Sequence, residues 1–136
     1  MRFCTGYFAR IKRYAPLVPV SIALKTPEFF TGPRYAKVSP TGEILRLYKG
    51  GYLSREDYIT MYRRDVLSKL DPFKVVRDLE NLCGDAPGLV LLCYEKPGDL
   101  CHRHLLAEWL WQHMAVEVKE YQVEKNEPQQ AQMRLF

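Results

Sequence analysis

One stretch constrains this chain more than any other: Leu89 to Leu110 reads L-V-L-L-C-Y-E-K-P-G-D-L-C-H-R-H-L-L-A-E-W-L. A continuously apolar run enters a Pro-Gly loop, and the loop opens an amphipathic helix. Gly88–Tyr94 reads as a strand covered on both faces, because a strand with one wet face would alternate. Over Leu100–Met114, Leu105, Leu106, Trp109, Leu110 and His113 recur at helical spacing. In open α/β sheets, ligands gather beyond the carboxyl ends of the strands, where helix N-termini also point. Glu95, Cys101, His102 and Arg103 all fall at that junction.

The rest of the chain fits the same class. Met1–Gly6 reads as a first strand, Tyr7–Tyr14 as a short basic helix or turn, and Leu17–Ala23 as a second strand. Lys25–Pro40 holds Pro27, Gly32, Pro33 and Pro40 and reads as loop. Thr41–Tyr48 offers one or two helical turns. Ser54 opens a clearer helix, with Asp57 completing an imperfect capping box and Tyr58, Met61, Tyr62 and Val66 as its apolar stripe. Asp71-Pro72 is an N-cap followed by proline at the first helical position. Phe73, Val76, Leu79 and Leu82 are the expected buried face of that helix, and Gly84 its stop. Val116, Val118 and Tyr121 alternate as a last strand. The expected fold is therefore α/β, a small and mostly parallel sheet of about four strands flanked by helices. It forms one domain over residues 1–123, with a flexible tail over 124–136.

The chain has 136 residues, 47% hydrophobic and 26% charged, which suits a single globular domain. No apolar run approaches the roughly 18 residues of a membrane span, so no membrane partner is expected. Met1–Gly6 lacks the apolar core of a signal peptide, and a cytoplasmic location follows by default. Cys4, Cys83, Cys93 and Cys101 are then expected as free thiols. The net charge of +4 is unevenly spread. Residues 1–64 carry 12 Lys/Arg against 4 Asp/Glu, while residues 65–136 carry 8 against 12. The basic half suggests attraction to phosphate; an ordinary solvated surface is the plain alternative. Lys12, Arg13, Lys25, Arg34 and Lys37 are candidate nucleic-acid contacts, and Tyr7, Phe8, Phe29, Phe30 and Tyr35 interleave with them as candidate base-stacking rings. At least one of Phe29 and Phe30 is expected to plug the loop onto the core instead.

At the junction, a thiol at a helix N-terminus feels the positive end of the helix dipole, and its pKa falls. Cys101 is so placed. Arg103 could reinforce a thiolate or clamp a phosphate or carboxylate. Glu95 could act as a general base. Three chemistries fit. One is nucleophilic catalysis by Cys101 with His102 or His104 as base, although neighbours on a helix diverge. The second is a metal site from Cys93, Cys101 and His102, with His104 as an optional further ligand, whose spacing matches no standard zinc pattern, so no metal is assigned. The third is simple anion binding at the helix N-terminus. The cofactor is left unknown. Read structurally, Cys93 and Cys101 are small buried hydrophobes, the reading favoured for Cys93. His113 reads as a core or boundary residue, and Trp111 as facing the tail or a partner.

C-Y-E at a strand end followed by C-H-R-H-L-L-A-E opening a helix resembles the C-terminal signature of the domain of unknown function 488 family. Cys93, Glu95, Cys101, His102 and Arg103 match it position by position, and the resemblance extends from Met1 to about Tyr121. The N-terminal part, T-G-Y-F-A-R-I-K-R-Y, looks like a compact branch without the Gly-His start of longer members. The resemblance implies an α/β fold and a site, and it supplies no reaction.

The chain ends Q-A-Q-M-R-L-F, similar to a sliding-clamp-binding peptide in two registers. Gln132, Met133, Leu135 and Phe136 fit the bacterial pentapeptide, with Arg134 departing from its third place. Gln130, Met133 and Phe136 fit the archaeal and eukaryotic box, whose second aromatic is missing. A glutamine would fix the strand while the apolar residues fill a pocket. Fold-back onto the protein's own core and chance recurrence are the alternatives. The function expected is that of a small DNA-metabolism protein binding nucleic acid or nucleotides and recruited to a sliding clamp. A metal- or thiol-dependent enzyme acting on a small molecule and a non-enzymatic adaptor are the competing readings.

Overall fold

The computed structural model describes residues 1–95 and 100–122. Four strands, β1 (Arg2–Tyr7), β2 (Val18–Ser21), β3 (Gly88–Cys93) and β4 (Val118–Glu120), form one sheet in the order β2-β3-β1-β4. Every pairing is parallel. β3 is central and buried at all six positions, as its unbroken apolar run requires. Among the described residues four α-helices fill the connections: α1 (Gly42–Lys49), α2 (Arg55–Asp65), α3 (Pro72–Cys83) and α4 (His102–Met114). The expected single α/β domain with a four-stranded parallel sheet is what forms. The expected tail, 124–136, lies outside the described residues.

Helix starts follow local chemistry. Thr41 accepts a hydrogen bond from the Ile44 amide at 3.1 Å to cap α1. Ser54 and Asp57 close a reciprocal capping box on α2. Asp71 accepts from the Phe73 amide at 2.9 Å, with Pro72 as the first residue of α3. The buried face of α3 differs from the sequence expectation. Val75, Leu79 and Cys83 are buried, while Phe73 is 55% exposed. The N-cap orients Phe73 outward, where Arg77 lies over its ring. His113 is likewise exposed rather than at the core boundary, its ring against Trp109.

The two sheet faces are covered unequally. Leu89 and Leu91 of β3 join Phe3, Val20 and Ile22 under residues from all four helices, including Ile44, Tyr62, Leu79, Leu106 and Leu110. Val90 and Leu92 turn to the opposite face, on which no α-helix packs among the described residues. There Phe8, Tyr14, Leu17, Ala23 and Phe30 close a smaller core with Cys4. Phe8 belongs to the 3-10 turns of Phe8–Arg13, which carry the chain from β1 across β3 to β2. This second core absorbs two of the five aromatic residues expected to stack on bases, Phe8 and Phe30, while Tyr35 joins the larger core. Phe8, Phe30 and Tyr35 are buried, and Phe29 is 64% exposed. The expectation that one of the Phe29–Phe30 pair plugs the core is met by Phe30.

Gly88 sets how closely β3 approaches β1. A Cβ at position 88 would stand 1.9 Å from the Arg2 carbonyl oxygen, a backbone atom that cannot swing away. Gly88→Ala is expected to destabilise the fold by about 2–3 kcal/mol or more, read from the urea midpoint at an unchanged m-value.

A candidate active site at the carboxyl edge of the sheet

β3 ends at Cys93, whose side chain turns to the helix-bearing face as Leu89 and Leu91 do. Cys101 is the N-cap of α4, with extended backbone angles of φ −146° and ψ 142°. The two sulfurs are joined in a disulfide. The expectation of four free thiols is thus corrected. Among the described residues Cys4 and Cys83 are the free cysteines. Burial pushes both of those thiols up, which makes them poor nucleophiles. Sulfurs eight residues apart in sequence thus meet. Composition alone carries no sign of that meeting.

The extended N-cap also removes the expected divergence of Cys101 and His102. His102 Nδ1 stands 3.8 Å from Cys101 Sγ. On its far side His102 Nε2 donates to the Ile22 carbonyl at 2.7 Å. A carbonyl can only accept, so Nε2 carries the hydrogen and Nδ1 keeps a bare lone pair aimed at the sulfur. The ring is 5% exposed and lies edge-on to Tyr62. Burial pushes its pKa down to about 4, against the Ile22 hydrogen bond and with the charges of Arg103 and His104. His102 is therefore a neutral imidazole at physiological pH.

Arg103 is fully buried. Its Nε donates to Glu120 Oε1 at 3.0 Å and its Nη2 to Glu120 Oε2 at 3.3 Å. Nη1 donates to the Glu95 carbonyl at 2.6 Å and to Cys93 Sγ at 3.0 Å. The guanidinium is consumed by these partners and positions the strand end and the N-cap; it is not directed at a ligand as a free clamp. Glu120 was not singled out in sequence. It also accepts from Thr5 Oγ1 at 2.7 Å and lies 3.2 Å from His104 Nε2. Burial would raise its pKa, but the hydrogen bonds from His104, Arg103 and Thr5 and the Arg103 charge hold it down at about 2. The only sequence signal for it was a carboxylate on the last strand, at the same sheet edge as the C-H-R motif.

A cleft of about 720 Å³ opens over this edge. Cys93, Glu95 and His102 contribute to one wall, and Lys25, Arg46 and Lys49 to others. Of the five expected nucleic-acid contacts only Lys25 lines the cleft. Lys12, Arg13 and Arg34 are exposed elsewhere, and Lys37 pairs with Asp78 at 3.7 Å. Arg46 and Lys49 were not singled out in sequence, although their i, i+3 spacing puts both on one side of α1. Glu95 lines the cleft as the expected general base would, and its backbone carbonyl is the part held by Arg103. Gln130, Gln132, Met133, Leu135 and Phe136 lie outside the described residues. No described helix is long and apolar enough to cross a membrane.

A parallel α/β domain with a cysteine–histidine pair where its central strand hands over to a helix defines the class of protein. A family profile described as the active DUF488-N3 subclade matches residues 19–114, and the chain belongs to that family. The matched span holds β2 from Pro19 onward, α1 to α4, β3 and all of Cys93, Glu95, Cys101, His102 and Arg103. It leaves out β1 and β4, and with them Thr5 and Glu120. No curated protein and no solved structure matches the chain.

Two predictions follow from the charges. Glu120→Gln keeps the shape of the side chain but strands the buried Arg103 charge. It is expected to cost about 3 kcal/mol of stability by chemical denaturation. For pH, an unfolded chain protonates His102 near its ordinary 6.5, whereas the native disulfide form resists until about 4. The unfolded state binds the extra proton between those values, so stability falls as pH drops from 6.5 to 4, by about 3 kcal/mol from this group. Glu120 continues the loss from about 4.5 down to about 2, because its native pKa is depressed. His102→Gln is expected to flatten the upper part of that profile, measured as unfolding free energy against pH.

Proposed function

We propose that the cleft at the carboxyl edge binds a phosphate-bearing ligand, a nucleotide or the end of a nucleic acid, and presents it to the Cys93–Cys101–His102 edge. The observation that carries this reading is the convergence of Lys25, Arg46 and Lys49 around one cleft whose wall contains Cys93 and His102. Three cations around a single concave surface favour an anion that can take several charge-assisted hydrogen bonds. Arg103 is already satisfied, so recognition falls to these three. Lys12 and Arg13, exposed in the turn after β1 and outside the cleft, are contacts for a longer polyanion only.

The second part of the reading concerns recruitment. Gln130, Gln132, Met133, Leu135 and Phe136 form a sliding-clamp-binding-like sequence, which would bring the cleft to replicating or repaired DNA. Support for it comes from the sequence alone. The reading as a thiol-dependent enzyme acting on a small molecule is favoured by one observation, the lone pair of His102 Nδ1 facing Cys101 Sγ at 3.8 Å.

The test is binding of single-stranded DNA and of nucleoside mono- and triphosphates across a salt series. Arg46→Ala/Lys49→Ala is expected to weaken binding at least tenfold and to reduce the salt slope for DNA by about 0.7 per lost contact. Unchanged binding in that variant would overturn the cleft assignment. Lys12→Ala/Arg13→Ala separates ligand classes: weaker DNA binding with unchanged nucleotide binding marks a polymer. For recruitment, a chain lacking residues 132–136 is expected to lose micromolar binding to a bacterial or archaeal clamp, and equal binding by both forms would refute the tail's role.

A further inference from the structure

The same edge holds three soft ligand atoms. Cys93 Sγ, Cys101 Sγ and a ring nitrogen of His102 lie within 4.8 Å of one another, and all three residues are buried. We propose that reduction of the Cys93–Cys101 bond turns this cluster into a binding site for a zinc-class divalent cation, with a fourth coordination position open to the cleft. The proposal deepens the cleft reading above and rests on it only for what fills that fourth position.

Geometry supports it first. A tetrahedral zinc with ordinary Zn–S and Zn–N bonds separates its sulfur and nitrogen ligands by about 3.6 Å. Cys101 Sγ and His102 Nδ1 are already 3.8 Å apart. The two sulfurs need only part to about 3.8 Å, the edge of the same tetrahedron. The histidine is prepared for the task. A metal-bound imidazole usually donates its other N–H to a backbone carbonyl or carboxylate, which fixes ring orientation and tautomer. His102 Nε2 does so to Ile22, leaving Nδ1 without a hydrogen and 3.8 Å from Cys101 Sγ.

Charge and chemistry agree. Two thiolates and one histidine are ligands that select zinc-class cations over magnesium or calcium. Two thiolates neutralise a divalent cation, and Arg103 is neutralised by Glu120, so the buried assembly carries no net charge. Arg103 Nη1, at 3.0 Å from Cys93 Sγ, supplies an N–H to the sulfur as an outer-shell partner would. Three protein ligands with one position facing a cleft is the arrangement of catalytic rather than structural zinc. Cys93 and His102 both line the cleft that Lys25, Arg46 and Lys49 surround. An oxygen of a bound phosphate, or a water beside it, would complete the coordination.

The redox step balances simply. A phosphine reduces the S–S bond with two electrons, taking oxygen from water to become its oxide and leaving two thiols. The cation then forms two metal–sulfur bonds and releases two protons. The disulfide seen here is accordingly the oxidised, metal-free form of the site.

The experiment uses the full chain, reduced with a phosphine in metal-free buffer and titrated with cobalt(II). One equivalent is expected to give thiolate-to-cobalt charge-transfer absorption and the intense visible bands of a tetrahedral site, both displaced by one equivalent of zinc. The disulfide form, Cys93→Ser and Cys101→Ser are expected to lose the charge-transfer band, while Cys4→Ser keeps it. His102→Gln is expected to weaken cobalt binding at least about tenfold. No saturable band in the reduced wild type, or an undiminished band in both Cys93→Ser and Cys101→Ser, would overturn the proposal. Should the serine variants fail to fold, the reduced and disulfide wild-type forms with His102→Gln still decide it. DNA and nucleotide binding by the metal-free disulfide form is measured alongside, so an absent metal and an absent anion site are told apart.

Discussion

Arg103 holds a full charge where no water can solvate it, and the chain must supply every partner the guanidinium needs. The partners come from three places: the carboxylate of Glu120 on the last strand, the backbone carbonyl of Glu95, and the sulfur of Cys93 at the end of the central strand. Such an arrangement tolerates little displacement, because a buried charge that loses a partner costs far more than a surface pair contributes. The strand end, the first turn of α4 and β4 are therefore fixed relative to one another by one side chain. His102 and Cys101 inherit their positions from that fixation. His102 is held a second time through Ile22, at the end of β2. The carboxyl edge is thus braced across the sheet, beside the cleft.

The division of labour at this edge is sharp. Cations that face the cleft come from the loop after β2 and from α1, whereas the cation of the C-H-R motif is turned inward. A motif arginine beside a cysteine invites the idea of anion recognition. Here its chemistry is spent on architecture, and residues outside the motif are the ones free to meet a ligand.

Much of the fold was legible in sequence because it is encoded locally. Ser54–Asp57 and Asp71-Pro72 cap helices with the residues that cap helices anywhere, and the unbroken apolar run after Gly88 announces a central strand. The candidate site was legible as a place, since strand, loop and helix follow one another within a few residues. Its wiring was not. Glu120 reaches Arg103 from seventeen residues further on, and only the parallel pairing of β4 with β1 brings it there. The Cys93–Cys101 bond, the turning of His102 Nδ1 toward Cys101 and the outward rotation of Phe73 each depend on backbone angles at a single cap residue. Periodicity averages over such angles. The cleft's Arg46 and Lys49 were hidden for another reason: they look like ordinary solvent-facing residues of an amphipathic helix until the sheet edge is placed beside them.

The strand order has a consequence for how such a chain comes into being. β1 and β2 lie close in sequence yet are not paired; each pairs with β3, so that Arg2 meets Gly88 across the span that holds α1 to α3. A nascent chain emerging from the ribosome therefore leaves β1 and β2 without their shared partner until β3 is made. Two strands wait unpaired, with their aromatic second core half built, for a third that must slide between them. Contacts of such long reach are slow to form. The period before β3 arrives is when this small protein is most exposed to the wrong neighbours.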